Sequence, residues 1–487
     1  MIAYQQRKNF FITFGALLFG LILMVIFLLL YEYVKNENYL VSKCSFKPTS
    51  DTSSEIDLPI VVIDTFGQKF TADTLGTPVE IHGTTINLLS ATPKILVDFS
   101  MYESCNMDEP SIKKSAYMGI RGQSSRRDPK KQYSVNFELD EDNIYDTSLL
   151  GMPSHTKWVL SASYQDVTSI RNYLAYQMGN DIMDYAPRTR FVEVYVKDTL
   201  EELSYEKHYV GLYALVEKIE KDPARVNIKK YNPKYNDISF IIARDKVKFE
   251  DEYLNTAWGS LEEDFIVDTD GRVRLRTVVQ VSYPSSSKIT ADYKKQITSY
   301  VNDFESSLYG ENFKDPTEGY RKYIDVISFV DLAMINEIFK NIDGGEVSTF
   351  FYKDIGGKLK AGPLWDFDLT LGNTSKDEVN EPTGFRIVST VWFHRMFQDP
   401  YFCKIYKDRY KKFRKTIWTD DEILKRIEEV TFYLRNATSR DYEKWYTEDD
   451  FQSYEEEINK LREFLIERLR WMDDNIDNIR RFEESLD

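Results

Sequence analysis

The chain has 487 residues, 14% of them aromatic, and a formal net charge of −16, so it can bury a substantial core in two or three structural units. The acidic excess argues against nucleic acid as a partner, because phosphate backbones bind basic surfaces. Three cysteines and four histidines, without Cys-x-x-Cys or His-x-x-x-His spacing, exclude a disulfide framework and leave little support for a zinc site.

An uncharged apolar run at residues 10–31 is the first element of the chain. As a helix rising about 1.5 Å per residue it would span a hydrocarbon core roughly 30 Å thick, so we predict a single-pass transmembrane helix. Arg7 and Lys8 precede the run without an acidic neighbour, which predicts a cytoplasmic N-terminus and a chain that continues outside, in a periplasm or at a cell surface. A cleaved signal peptide and a lipid anchor at Cys44 are the alternatives, and an exported domain would permit one disulfide between Cys44 and Cys105.

Short apolar runs broken by glycine and proline follow a polar linker at 32–57, and they predict β-strands. A strand at 117–120 leads into a basic loop at 121–131. Residues 133–139 then alternate between apolar and polar side chains, with the period of two that is typical of a strand. The basic loop therefore joins two predicted strands.

The basic loop has the composition of a phosphate-binding loop. Its small residues allow backbone N–H groups to approach an anion, and its basic residues supply positive charge. Strand, loop and strand with a lysine resemble the glycine loop and strand lysine of protein kinases, although neither Gly-x-Gly-x-x-Gly nor Val-Ala-Ile-Lys is present. Adjacent lysines on a strand face opposite sides, and the pattern does not show which side meets a ligand. A solvated basic loop is the alternative. The residues concerned are Arg121, Gly122, Ser124, Ser125, Lys130 and Lys131.

A helix is predicted next, from Asp166, where a residue of capping type precedes apolar positions at helical spacing. Strands at 191–196 and 209–216 follow, and the second ends at Glu217. Arg171, inside the helix, and Glu217 are each expected either in a structural ion pair or as a direct ligand.

The second half of the chain is predominantly helical. A helix is predicted at 329–339, strands at 349–353 and 358–364, and amphipathic helices from residue 401 onward, including 458–471. The order is sheet-rich first and helix-rich last, which predicts an α+β arrangement with a cleft between two lobes.

The acidic loop, residues 362–373, follows the last predicted strand and carries Asp366 and Asp368 on either side of Phe367. On an extended backbone both carboxylates would point the same way and chelate one or two cations. Asp343 follows the helix at 329–339. Grouped carboxylates raise one another's pKa unless a cation lies among them, so a metal ion bound to phosphate is the economical explanation. An acidic turn after a strand, and a solvated helix C-terminus at Asp343, are the alternatives.

Several long motifs occur in a fixed order. They are Gly-Ile-Arg-Gly-Gln-Ser-Ser at 119–125, Pro-Lys-Lys-Gln-Tyr at 129–133, Leu-Leu-Gly-Met-Pro at 149–153, Trp-Val-Leu at 158–160, Asp166 with Ile-Arg-Asn at 170–172, Gly-Leu-Tyr-Ala-Leu-Val-Glu at 211–217, Asn-Glu-Ile-Phe-Lys-Asn-Ile-Asp at 336–343, and Gly-Pro-Leu-Trp-Asp-Phe-Asp-Leu-Thr-Leu-Gly-Asn at 362–373. This series resembles the spore coat protein H (CotH) kinase family, over about residues 58–400.

The resemblance implies an atypical protein-kinase-like, two-lobed fold that uses ATP with Mg²⁺ or Mn²⁺ and transfers the γ-phosphoryl group to serine or threonine of partner proteins. By the resemblance, Asp343 and Asp366 are the catalytic residues, and Asp366 with Asp368 holds the metal. Arg121, Lys130 and Lys131 would meet the phosphates, and Glu217 is grouped with the cofactor-binding residues. Transfer of a nucleotidyl group, or activation of a carboxylate, at the same ATP site is an alternative chemistry.

The sequence thus divides into a cytoplasmic N-terminus (1–9), a transmembrane helix (10–31), a linker (32–57), a kinase-like domain (58–400) and a helical region packing on it (401–487). The function predicted is a membrane-anchored protein kinase. A surface-exposed binding or adhesion protein that keeps the kinase-like fold as a scaffold is the alternative, since ATP is scarce outside a cell.

Overall fold

The computed structural model describes residues 58–72, 77–81, 84–88, 92–103, 109–140, 144–232, 237–246, 254, 265–267, 273–275, 277–374, 377–446 and 454–480. The predicted transmembrane helix, the linker, Cys44 and Cys105 lie outside these residues. Within them, no helix combines the length and the apolar character needed to cross a bilayer. Cys403 is buried in the helical part, where its thiol donates to the Phe397 carbonyl at 3.0 Å.

Most of the first strands build a barrel. The strands are β1 (Ile60–Asp64), β2 (Thr77–Ile81), β3 (Thr84–Leu88), β4 (Ile95–Tyr102), β5 (Ile112–Ile120), β6 (Tyr133–Asn136), β7 (Lys157–Ser161), β8 (Thr189–Lys197) and β9 (Tyr209–Glu217). The barrel order is β1-β4-β5-β6-β7-β9-β8, with β2 and β3 as a separate hairpin. Alternate residues fill the interior, among them Phe99, Met118, Val135 and Trp158, as the period of two requires.

A second, four-stranded sheet follows in the order β13-β10-β14-β15. Its strands are β10 (Phe240–Lys246), β13 (Thr277–Tyr283), β14 (Thr349–Lys353) and β15 (Lys360–Ala361), while β11 (Phe265–Val267) pairs with β12 (Val273–Leu275). All the pairings in this sheet are antiparallel. The sheet brings the end of β10 and the start of the acidic loop to the same side of the molecule as the barrel loop that follows β5.

The helices are α1 (Arg171–Ile182), α2 (Tyr205–His208), α3 (Ala291–Tyr309), α4 (Val326–Ile338), α5 (Asp377–Asn380), α6 (Val391–Phe397), α7 (Pro400–Arg414), α8 (Asp420–Trp445) and α9 (Tyr454–Asn475). Threonine or aspartate side chains cap the starts of α3, α4, α7 and α8. Thr419 accepts a hydrogen bond from the Glu422 N–H at the start of α8, and Asp399 accepts one from Tyr401 in front of α7, which has proline in its first turn.

Helix α4 is the centre of the helical part, and every residue from Phe329 to Ile338 is buried. A helix that is buried on all sides needs partners on all sides, and α4 packs against α1, α7 and α9. A fully buried ion pair between Glu337 of α4 and Arg468 of α9 joins two of these helices.

The predicted order, sheet-rich first and helix-rich last, is confirmed as a mixed α and β architecture. The sheet-rich part differs from the kinase-like lobe that was expected. Because β1 pairs in parallel with β8, the first sheet closes on itself as a barrel, which is not the architecture of a kinase lobe. Helix α1 begins at Arg171, not at Asp166, and the strand expected at 358–364 is only Lys360–Ala361.

Candidate active site

A cleft of about 580 Å³ lies between the barrel, the second sheet and the acidic loop. The barrel contributes the basic loop after β5 and the residues after β9. The second sheet contributes the end of β10, and the helical part contributes Asp343 and the acidic loop. The charged and polar residues that line it, together with Trp365, include Arg121, Gln132, Lys218, Asp245, Asp343, Ser348, Asp366 and Asp368.

The acidic loop turns sharply at Asp366, whose φ of 65° is in the left-handed region. This conformation is uncommon outside glycine and is tolerated best by aspartate and asparagine. The loop therefore does not continue as an extended strand, and the expectation that Asp366 and Asp368 align on one face of a strand was wrong. Both side chains nevertheless line the same cleft, because the turn at Asp366 brings them there.

The turn is held by its neighbours. The Ser348 hydroxyl donates to Asp366 Oδ2 at 3.2 Å, and the Asp366 N–H donates to the Tyr176 hydroxyl at 3.2 Å. Phe367, between the two aspartates, is 1% exposed and packs edge-on against Phe339 of the segment that ends α4. The apolar side chain thus anchors the loop, while the flanking carboxylates stay at the cleft.

Helix α1 forms hydrogen bonds with the same loop. Asn172 donates through Nδ2 to Asp368 Oδ1, and its Oδ1 accepts from the Phe367 N–H at 2.7 Å. Arg171 donates through Nε to the carbonyl of Thr370 at 2.9 Å and forms a buried ion pair with Asp166. Of the two roles expected for Arg171, a structural ion pair or a direct ligand, the structure shows the ion pair.

The surroundings of Asp366 and Asp368 raise the pKa of both carboxyl groups. Burial raises the pKa of Asp366. The positive charge of Arg121 partly offsets this rise, and the negative charge of Asp245 adds to it. The Asp366 side chain is exposed to solvent at the cleft, so water screens this effect on its pKa. Burial also raises the pKa of Asp368 well above its usual value, and the neighbouring carboxylate of Asp366 adds to that. A cation beside the pair would relieve both effects.

A divalent ion such as Mg²⁺ needs oxygen donors, and the acidic loop offers two carboxylates. Within the described part of the chain, no group of three or more histidine, cysteine or acidic side chains is arranged to hold a metal, so there is no ready-made protein cage. Mg²⁺ is typically bound by one or two carboxylates together with substrate phosphates and water. Two neighbouring carboxylates with raised pKa values fit an ion that brings phosphate ligands of its own.

Arg121 faces the acidic loop across the cleft. Its guanidinium lies 5.3 Å from the ring centroid of Trp365 and donates to Gln132 Oε1 at 3.2 Å. It is also the largest of the charges that offset the raised pKa of Asp366. A planar guanidinium held in this way can pair with phosphate oxygens.

The two lysines of the basic loop point elsewhere, whereas Gly122, Ser124 and Ser125 of the same loop line the cleft. Lys130 is buried, donates to the Leu212 carbonyl at 2.6 Å and pairs with Asp441 of α8 at 2.8 Å. Lys131 donates to the carbonyls of Arg126 and Asp128, at 2.8 and 2.6 Å, and so shapes the loop from within. Neither lysine lines the cleft.

Glu217 is fully buried at the end of β9, where it accepts from Arg188 at 2.8 Å and lies 3.8 Å from Arg225. It does not line the cleft, whereas the next residues along the chain, Lys218 to Glu220, do. Of the two roles expected for Glu217, the structure shows the ion pair.

Asp343 lies in the turn that follows α4. Its N–H donates to the side chain of Asn341 at 3.0 Å, and its carbonyl accepts from the N–H groups of Glu346 and Val347. The turn is fixed by these bonds, and Asp343 lines the cleft together with Asp366 and Asp368. The structure thus brings Arg121 and the three aspartates together and leaves Lys130, Lys131 and Glu217 outside.

Residues that the sequence did not single out complete the site: Asn172, Tyr176, Ser348 and Gln132. No spacing rule links Asn172 to Asp368, which is 196 positions away. The available signal was its place directly after Arg171 in one of the motifs at 170–172.

The sequence matches the CotH kinase protein family over residues 118–472. No curated protein matches it. The match includes the basic loop, helix α1, Asp343 and the acidic loop, and it covers most of the chain. This chain therefore belongs to the CotH kinase protein family.

Proposed function

We propose that the protein transfers the γ-phosphoryl group of ATP to a serine or threonine hydroxyl of a partner protein, with Mg²⁺ or Mn²⁺. The observation that carries this proposal is the convergence of Asp343 and Asp366 on one cleft, with Arg121 facing Asp366. Phosphoryl transfer needs an acidic group near the acceptor, positive charge near the phosphates and carboxylates for a divalent ion.

The residues take separate roles in this scheme. Asp343 orients the acceptor hydroxyl and takes its proton as the oxygen bonds to the γ-phosphorus and the bond to ADP breaks. Arg121, held by Trp365 and Gln132, offsets the charge on the phosphates. Asp366 and Asp368 would hold the divalent ion, which supplies further neutralisation of phosphate charge when bound.

The location of the cleft is part of the proposal. The apolar run at 10–31 and the basic residues before it support a single-pass anchor, with the cleft on the outer side of the membrane. A partner protein would then present its hydroxyl in the periplasm or at the cell surface.

The test uses the full-length chain, purified in detergent, with γ-labelled ATP and Mg²⁺ or Mn²⁺. Wild type is expected to label itself or an added serine-containing protein, and Asp366→Asn and Asp343→Asn are expected to abolish labelling. Asp303→Asn, an exposed aspartate on α3, is the matched control and should label like wild type.

Equal labelling by wild type and Asp366→Asn would refute the assignment. A product heavier by AMP, and not by phosphate, would indicate nucleotidyl transfer. If no nucleotide with metal stabilises the protein against heat, the scaffold function is the one to pursue.

A further inference from the structure

The first turn of α1 contacts the acidic loop at successive positions. Arg171 binds the Thr370 carbonyl, and Asn172 binds both the Phe367 N–H and the carboxylate of Asp368. Each contact joins segments almost two hundred residues apart. Hydrogen bonds from two adjacent residues in the first turn of α1 thus hold the acidic loop.

The amide of Asn172 uses both of its functions at once. Its NH₂ group donates to Asp368 and its oxygen accepts from the backbone of Phe367. An aspartate would have no donor for the carboxylate, and an aliphatic side chain would have neither group. Asn172 is 9% exposed, so water competes poorly for these partners.

These bonds also distinguish the two oxygens of Asp368. The side-chain donors to Asp368 in the described part of the chain, Asn172 and Ser163, both reach Oδ1. Oδ2 is then the oxygen left for a ligand in the cleft that Asp368 lines. The backbone bond to Phe367 meanwhile holds the residue that follows the left-handed turn at Asp366.

We propose that Asn172 is a positioning residue, which sets the orientation of Asp368 and the backbone turn at Asp366 and thereby the affinity of this pair for a divalent ion. The inference rests on the proposed function for the identity of the ligand. Partners that orient a metal ligand typically change metal affinity by about 10–100-fold when removed.

The test compares Asn172→Ala with Asn180→Ala in the full-length chain. Asn180 is the matched control because it lies on the same helix and also uses both ends of its amide, donating to the Tyr176 carbonyl and accepting from the Ala186 N–H. It does not touch the acidic loop through these bonds. Asn172→Ser, which cannot reach both partners, replaces Asn172→Ala if the alanine variant does not fold.

Two readouts are needed. Hydrogen–deuterium exchange of peptides covering 362–373 reports the protection of the Phe367 N–H without any ligand. Electron paramagnetic resonance of free Mn²⁺, titrated with a non-hydrolysable ATP analogue present, reports metal affinity. Asn172→Ala is expected to lose the protection and to weaken Mn²⁺ binding at least about tenfold, whereas Asn180→Ala should change neither.

Unchanged protection in Asn172→Ala, unchanged Mn²⁺ affinity, or an equal loss in Asn180→Ala would each overturn the inference. A wild-type protein that binds no Mn²⁺ would instead refute the proposed function. In that case the exchange measurement still decides whether Asn172 holds the acidic loop.

Discussion

Lys130 offers the sharpest test of what the structure adds, because the sequence suggests a phosphate ligand and the structure shows a buried ion pair. Its ammonium and the carboxylate of Asp441 are 2.8 Å apart, and their side chains are 0% and 5% exposed. The pair also satisfies both backbone groups of Leu212, whose carbonyl accepts from Lys130 and whose N–H donates to Asp441 at 2.9 Å. Burial lowers the pKa of Lys130 and raises that of Asp441, so each charge depends on the other.

Removing one partner leaves the other charge buried and unpaired, which typically costs about 3–5 kcal/mol. Lys130→Met and Asp441→Leu are each expected to lower the free energy of unfolding by that amount. The double variant should lose less than the sum, by roughly 1–3 kcal/mol, because residues in contact are not additive. The double variant should not regain the stability of wild type, since both backbone groups of Leu212 lose a hydrogen-bond partner.

The assay is denaturant unfolding of the two single variants and the double variant, together with nucleotide binding to the folded proteins. Lys404→Met is the control, since Lys404 and Asp408 form an ion pair with side chains 73% and 61% exposed, and such pairs contribute little. Additive losses, or a Lys130→Met protein of wild-type stability with weakened ATP binding, would refute the structural role.

Three further predictions concern stability. Arg468→Met should cost roughly 3–5 kcal/mol in denaturant unfolding, because Glu337 would keep its charge in a fully buried position; a loss below about 1 kcal/mol would contradict this. His155 has its pKa lowered to about 4, chiefly by burial, and its Nδ1 accepts from the Lys157 N–H, so stability should fall as pH drops from about 6.5 towards 4. His155→Asn keeps an acceptor without titrating there and should remove that slope in thermal unfolding; an unchanged slope would assign it to other groups. Gly211→Ala should be strongly destabilising at a φ of +114°, since the new Cβ would displace the carboxylate that pairs with Lys130; a protein as stable as wild type would show that the backbone adapts.

The membrane anchor stays a prediction, because residues 10–31 lie outside the described part of the chain. The domain boundaries at 58 and 400 are also still predictions. The family match itself begins at 118 and continues to 472, through α7 and α8 and most of α9.

What the sequence determined by itself is local. Strand alternation, capping residues and the order of the motifs identified the α+β arrangement, the basic loop, Asp343 and the acidic loop, because side-chain period and loop composition are properties of neighbouring residues. The alternation also separated Lys130 from Lys131 by face, without showing which face is buried.

Only the tertiary structure decided which charged residues share a cleft. Arg121 faces Asp366, whereas Lys130 pairs with Asp441 of α8, and both outcomes depend on partners that lie hundreds of residues away. Glu217 is buried in an ion pair with Arg188, just before β8. The closure of the barrel and the hold of Asn172 on Asp368 have the same origin. Side chains distant along the chain are brought together by packing of whole elements, and no periodicity within a single element encodes that packing.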